Sequence, residues 1–158
     1  MRGIIFFVLL LVSEIASGQK ATGIFLTVDT DLSNCKNKYV LLNGLTEHCL
    51  SNEPAIKLEE FAGVSEIYYH PTEKKRLLDI HLTPKGSKLL KTITTTLGYK
   101  EIAIVVNGKL VSVIGVDGAY RTRSISIWDQ YDTKTLEWIH KSLIKHIPRP
   151  GEDLKFER

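Results

Sequence analysis

The segment Glu101-Ile102-Ala103-Ile104-Val105-Val106-Asn107-Gly108-Lys109-Leu110-Val111-Ser112-Val113-Ile114 decides the fold. Its two halves are apolar and β-branched, and Asn-Gly between them is the preferred pair for a two-residue type I′ turn. The segment therefore predicts a β-hairpin. Successive strand side chains point to opposite faces, and residues 102–106 are apolar at every position. Both faces of this strand must then lose contact with water, which predicts a central strand covered on at least one side by helix.

The flanks supply that helix. Upstream, Thr83 is a good N-cap and Pro84 fits the first helical position, where its missing N–H costs nothing. Leu89, Leu90, Ile93 and Leu97 follow at helical spacing, and Gly98 closes the pattern as a C′ glycine. Downstream, residues 115–120 read as a loop and Ser124 to Trp128 as a strand. A second helix then starts near Asp132, turns Leu136, Ile139, Leu143 and Ile147 inward, and is stopped by Pro148 and Pro150.

Before the first helix, Gly23 to Asp29 reads as a strand, Asp31 to Asn37 as a turn, and Tyr39 to Leu42 as a second strand ended by Asn43-Gly44. Residues 65–70 and 76–82 read as an antiparallel pair around Thr72-Glu73-Lys74-Lys75, with Leu78, Ile80 and Leu82 sharing a face. Ile56, Leu58 and Phe61 fall in a segment with no firm assignment. Strand runs joined by hairpins, with helices between, predict an α+β fold: a mixed or mostly antiparallel sheet with two helices packed on one face.

The chain has 158 residues, 43% apolar and 25% charged, which suits one globular domain with a proper core. Its 21 basic and 18 acidic residues leave a net charge of +3, too balanced to indicate nucleic-acid binding. Residues 1–18 read as a signal peptide. Arg2 provides the positive start, Ile4 to Val12 the apolar run, and Ala16-Ser17-Gly18 the small residues before a cleavage point at Gln19. A retained anchor would need about 20 apolar residues, and Glu14 interrupts the run well short of that. The expected organisation is a leader over 1–18, a domain over 19–147 and a polar tail over 148–158, in an exported protein of the periplasm or exterior.

Export changes how Cys35 and Cys49 are read. An even count in an oxidising compartment favours a single disulfide, the alternative being two buried thiols. Neither a Cys-x-x-Cys nor a paired Cys/His spacing supports zinc.

Taken together, Leu82 to Leu143 resembles the head subdomain of the first periplasmic domain of SecD and SecDF, accessory membrane subunits of bacterial protein export. The matching residues are Leu82-Thr83-Pro84-Lys85-Gly86, Ile102 to Ser112, Ser124-Ile125-Ser126-Ile127, and Leu136 to Leu143. A weaker match extends back through Glu53-Pro54-Ala55-Ile56 and the hairpin over residues 65–82. The family has an Ala-Pro step where this chain has Val113-Ile114-Gly115-Val116, and a small, glycine-rich loop where it has Tyr120, Arg121 and Arg123. The resemblance implies a SecD-head-like fold and contact with polypeptide. It does not imply energy-driven translocation, because the transmembrane helices of that family are not matched.

Candidate chemistry is sparse. His70 and His81 would approach each other if their strands paired closely, but no His-x-His or His-Glu-x-x-His pattern supports a metal. Glu59-Glu60 and Glu66 read as a solvated face. No Gly-x-Ser-x-Gly elbow is present, and Gly115-Val116-Asp117-Gly118 is too short for a phosphate loop. Tyr68-Tyr69 reads as one core ring and one surface ring. The one site-like cluster is Tyr120, Arg121 and Arg123, followed by Trp128 and Tyr131, since aromatic and arginine side chains dominate binding hot spots. Its alternative is a basic edge strand whose charges discourage aggregation.

The expectation is a non-catalytic exported binding module without cofactor or metal, contacting a protein or peptide, with a link to protein export. The alternatives are an immunity or inhibitor protein against a secreted toxin, and a small periplasmic enzyme built around His70, His81 and a glutamate.

Overall fold

A computed structural model describes residues 21–96, 101–116, 118–120, 122–128 and 132–147. In chain order the strands are β1 (Gly23–Leu26), β2 (Lys38–Val40), β3 (Glu47–Cys49), β4 (Ile56–Lys57), β5 (Phe61–Val64), β6 (Tyr68–His70) and β7 (Lys75–Leu82). Helix α1 (Pro84–Thr96) precedes β8 (Glu101–Val106), β9 (Lys109–Gly115) and β10 (Ser124–Trp128), and α2 (Thr133–Ile144) ends the described fold. The expected leader over 1–18 and the expected tail over 148–158 lie outside the described residues, as do Leu97 and Gly98.

The hairpin forms as its sequence demands. Asn107 and Gly108 adopt positive φ of 49° and 72°, the left-handed pair that a type I′ turn requires. β8 lies inside an antiparallel four-stranded sheet of order β4-β1-β8-β9. β4 approaches β1 closely because Gly23 carries no side chain; a Cβ there would sit 2.7 Å from the Ile56 carbonyl oxygen.

A second antiparallel sheet runs β10-β7-β5, with β6 pairing the first half of β7. Leu78, Ile80 and Leu82 of β7 join Ile125 and Ile127 of β10 in the main core. Leu90 and Ile93 of α1 and Leu136, Ile139 and Leu143 of α2 complete it, together with Ile102, Ile104 and Val106 of β8. This is the expected α+β arrangement, with both helices packed into one apolar layer. α2 starts where Asp132 Oδ1 accepts the Thr135 N–H at 2.8 Å, and ends at Ile144, before the prolines; Ile147 is buried by the turn that follows.

The other face of β8 has its own cover. Ala103 and Val105 pack with Phe25, Leu41, Leu50 and Leu110 in a separate cluster beneath the β2–β3 ribbon. Val111 is the extra residue of a β-bulge, since Ile104 faces Ser112 while Val105 faces Leu110. Leu110 joins this second cluster and Val111 the main core, as alternation requires, and the bulge then shifts the phase so that Val113 packs on the second cluster and Ile114 on the main core. The Leu42 N–H donates to the Leu110 carbonyl at 2.9 Å, and the Val28 N–H to the Cys49 carbonyl at 2.8 Å, fastening the ribbon at both sides. Cys35 and Cys49 form the disulfide, which ties the loop before β2 to the end of β3.

Several expectations need correction. The second strand is shorter than Tyr39 to Leu42 and shifted, while β3, β4 and β5 form in residues without a strand assignment from sequence. Neither Tyr68 nor Tyr69 is a core ring; they are 39% and 58% exposed. Glu60 is not on a solvated face but buried at 6% exposure.

Candidate functional site

The register of β10 on β7 decides which candidate residues can act together. Ser124 lies opposite His81 and Trp128 opposite Leu77, so the two ends of β10 are about 13 Å apart. Tyr120 and Arg123 therefore sit at the α1 end, and Trp128 at the far end with Lys75 placed 5.8 Å over its ring. The structure divides the aromatic–arginine cluster into two places. Arg121 and Tyr131 lie outside the described residues.

At the α1 end, Tyr120 and Arg123 meet Pro84, Ser87, Lys88 and Lys91 around an open groove of about 450 Å³. The loop is strapped along the helix by two hydrogen bonds. The Tyr120 N–H donates to Thr94 Oγ1 at 2.9 Å, and Thr94 in turn donates to the Leu90 carbonyl at 2.9 Å. Ser87 Oγ donates to the Thr122 carbonyl at 3.3 Å. A third bond, from the Leu82 N–H to the Arg123 carbonyl at 2.8 Å, fixes where the arginine leaves the end of β7.

The helix start beneath this groove is anchored by Glu60. Its carboxylate accepts from Thr83 Oγ1 at 2.6 Å and from the Lys85 ammonium, while its carbonyl accepts the Thr83 N–H at 2.9 Å. Thr83 Oγ1 also accepts the Gly86 N–H at 3.0 Å, the expected N-cap bond. The Lys85 and Thr83 donors hold the Glu60 carboxyl below the usual carboxylate range, and Glu60 raises Lys85 in return. Lys85 is thus matched by a carboxylate within the fold. Among the described residues no acidic group pairs with Lys88, Lys91 or Arg123, and none lines the groove.

A second polar cluster occupies the face of β7 that turns away from the main core. Asp79 accepts from Tyr68 Oη at 2.8 Å and from Ser126 Oγ at 2.6 Å, and its N–H donates to Ser65 Oγ at 2.9 Å. Burial, then the bond to Asp79, pushes the Tyr68 phenol up to about 12. Burial lowers His81, and Asp79 opposes that shift. Asp79 was not singled out from sequence, although the alternation that faces Leu78, Ile80 and Leu82 inward also places Asp79 and His81 together outside.

His70 pairs with Lys75 at the turn, whereas His81 pairs with Gly63 and Ser124 at the other end of β7. The strands do pair, but in a register that keeps the two histidines apart. No group of three metal-binding side chains occurs among the described residues. The groove itself brings together three cations, two hydroxyls and an apolar wall, a set suited to holding an anionic group.

No protein-family model matches the chain, and no curated protein sequence does. Solved structures do. A structure of SecDF, described as a membrane component that enhances protein export, matches 84% of this chain at 15% identity with a TM-score of 0.60. A crystal structure of SecDF in a super-membrane-facing form matches equally, again over 84% at 15% identity and a TM-score of 0.60. This chain spans 66% of the length of the first and 20% of the second. The SecD-like fold expected from sequence is the fold observed. No helix among the described residues is long and apolar enough to cross a membrane.

Proposed function

We propose that this chain is an exported, non-catalytic module that contacts polypeptide in the setting of protein export. The observation that carries the reading is its likeness, over 84% of its length, to a membrane component that enhances protein export. The disulfide supports an oxidising compartment, where such bonds persist. The surface we assign to contact is the groove between α1 and the loop from Gly115 to Arg123. There the chain replaces the small residues of the resembling family with Tyr120 and Arg123, and the structure adds cations from α1.

The test is site-specific photo-crosslinking in cells exporting a labelled precursor. A crosslinking residue at Lys91, inside the groove, is expected to capture the precursor during its passage. The same residue at Thr72, in the β6–β7 turn, is not. Equal capture at both positions, or none at Lys91, defeats the reading.

A further inference from the structure

We infer that the groove between α1 and the Gly115–Arg123 loop recognises an acidic stretch of extended polypeptide. The inference rests on the polypeptide-contact reading above and names the chemistry of the partner. Three features carry it.

The first is unbalanced charge. Lys88 and Lys91 lie one helical turn apart on α1, and Arg123 faces them from the loop, without an acidic partner for any of the three among the described residues. Lys85, on the same helix, shows the contrast: its charge is answered by Glu60. Like charges gathered around a recess repel one another, and an anion between them reverses the sign of that interaction.

Shape is the second feature. At about 450 Å³ the groove falls in the range of sites that hold ligands of many atoms, and its cations stand on two walls. A single small anion would need donors converging on one point.

Third is spacing. Side chains on one face of an extended chain recur about every 6.6 Å, and side chains one helical turn apart are separated by about 5–6 Å. Two carboxylates at alternate positions of an extended strand can each meet one lysine of the pair. Arg123 can then take a carboxylate with its forked guanidinium, while Pro84 and Tyr120 supply apolar contact to the intervening residues.

The test is fluorescence anisotropy with the intact protein and three labelled peptides of equal length, alternating Asp-Ser, Asn-Ser and Lys-Ser. A triple variant (Lys88→Gln, Lys91→Gln, Arg123→Gln) and the single Arg123→Gln are compared, with thermal melts confirming that each is folded. The Asp-Ser peptide should bind tightest and weaken as salt rises. The triple variant should lose about tenfold in affinity and Arg123→Gln a smaller share. If Asn-Ser binds as well as Asp-Ser, or if the variants change nothing, the acidic specificity is overturned while polypeptide contact stands. If no peptide binds, both readings fail. Vesicles containing phosphatidylglycerol form the last arm: binding to them through the same three residues, without peptide binding, overturns the inference in favour of a membrane surface.

Discussion

Gly86→Ala is a substitution for which helix propensity and packing give opposite signs. Alanine is favoured over glycine within a helix by about 1 kcal/mol, so propensity alone predicts a more stable protein. A Cβ at residue 86 would instead sit 2.8 Å from the Glu60 carbonyl oxygen, 3.0 Å from Glu60 Cβ and 3.4 Å from Leu82 Cβ. The Glu60 atoms cannot easily give way. That carbonyl is fixed by the Thr83 N–H, and the carboxylate is tied to Thr83 Oγ1 and Lys85. Overpacking against a fixed neighbour costs about 1–3 kcal/mol, and the propensity gain offsets only part of it. The net expectation is a loss of up to about 2 kcal/mol, or up to about 6 °C in Tm for a domain of this size. Gly115→Ala is the control, because a Cβ there meets nothing within 4 Å; it should leave Tm unchanged or raise it slightly. Thermal melts followed by circular dichroism, with urea midpoints alongside, measure both. A Tm for Gly86→Ala at or above that of the parent refutes the claim that the glycine exists for the close approach of Glu60.

Three further outcomes follow from the same geometry. Replacing both Cys35 and Cys49 by Ser should lower stability by about 3 kcal/mol, from a loop closed at a sequence separation of 14; a denaturant midpoint that barely moves refutes this. The Glu60 carboxyl lies below its ordinary value of 4.5 in the folded state, so its contribution is present above that pH and is lost as pH falls through the folded value. Stability should therefore decline on acidification more steeply in the parent than in Glu60→Gln, measured by urea unfolding across that range. Tyr68 is shifted the other way, from 10.0 to about 12, so its contribution holds below pH 10 and disappears as pH rises towards 12. Phenolate absorbance should show a late-ionising step that Tyr68→Phe removes.

How much was legible depends on whether the deciding interaction is local. The β8–β9 hairpin was legible because Asn107-Gly108 states its turn, and α2 because Asp132 and the spacing of Leu136, Ile139 and Leu143 state its start and face. β3 was not, since Glu47-His48-Cys49 carries no alternating apolar signal and is a strand only through its pairing with β2. β5 was obscured by an irregularity: Phe61 pairs with Leu82 and Gly63 with His81, leaving Ala62 as an extra residue that breaks the alternation. Glu60 looked like a solvated carboxylate beside Glu59, and only the fold brings Thr83 and Lys85 to it. The candidate site was half legible for the same reason. Tyr120 and Arg123 stand out in the loop, but Ser87, Lys88 and Lys91 become their neighbours only when the loop is strapped to α1. Trp128 is close to them in sequence, but the extended strand β10 carries it to the far end of the sheet.

The two cysteines and the apolar pattern of β8 prove to be parts of one device. A central strand with two apolar faces needs two covers, and the helices supply one. The other cover is a ribbon of two three-residue strands, too short to be stable alone. Its cross-strand ion pair, Lys38 to Glu47 at 3.3 Å, is exposed and contributes little. What holds the ribbon is burial of Leu41 and Leu50, each burial contributing about 1.5–3 kcal/mol, together with the disulfide that removes freedom from the unfolded loop. Ala103 and Val105 stay dry only while that ribbon stays closed. Reduction should therefore expose the β1–β8–β9 face before it disturbs the helix side. Hydrogen exchange with and without reductant checks this: amides of β2 and β3 should lose protection first, while those of α2 and β7 keep theirs. Loss of protection in both layers together would show that the ribbon is not a separable cover.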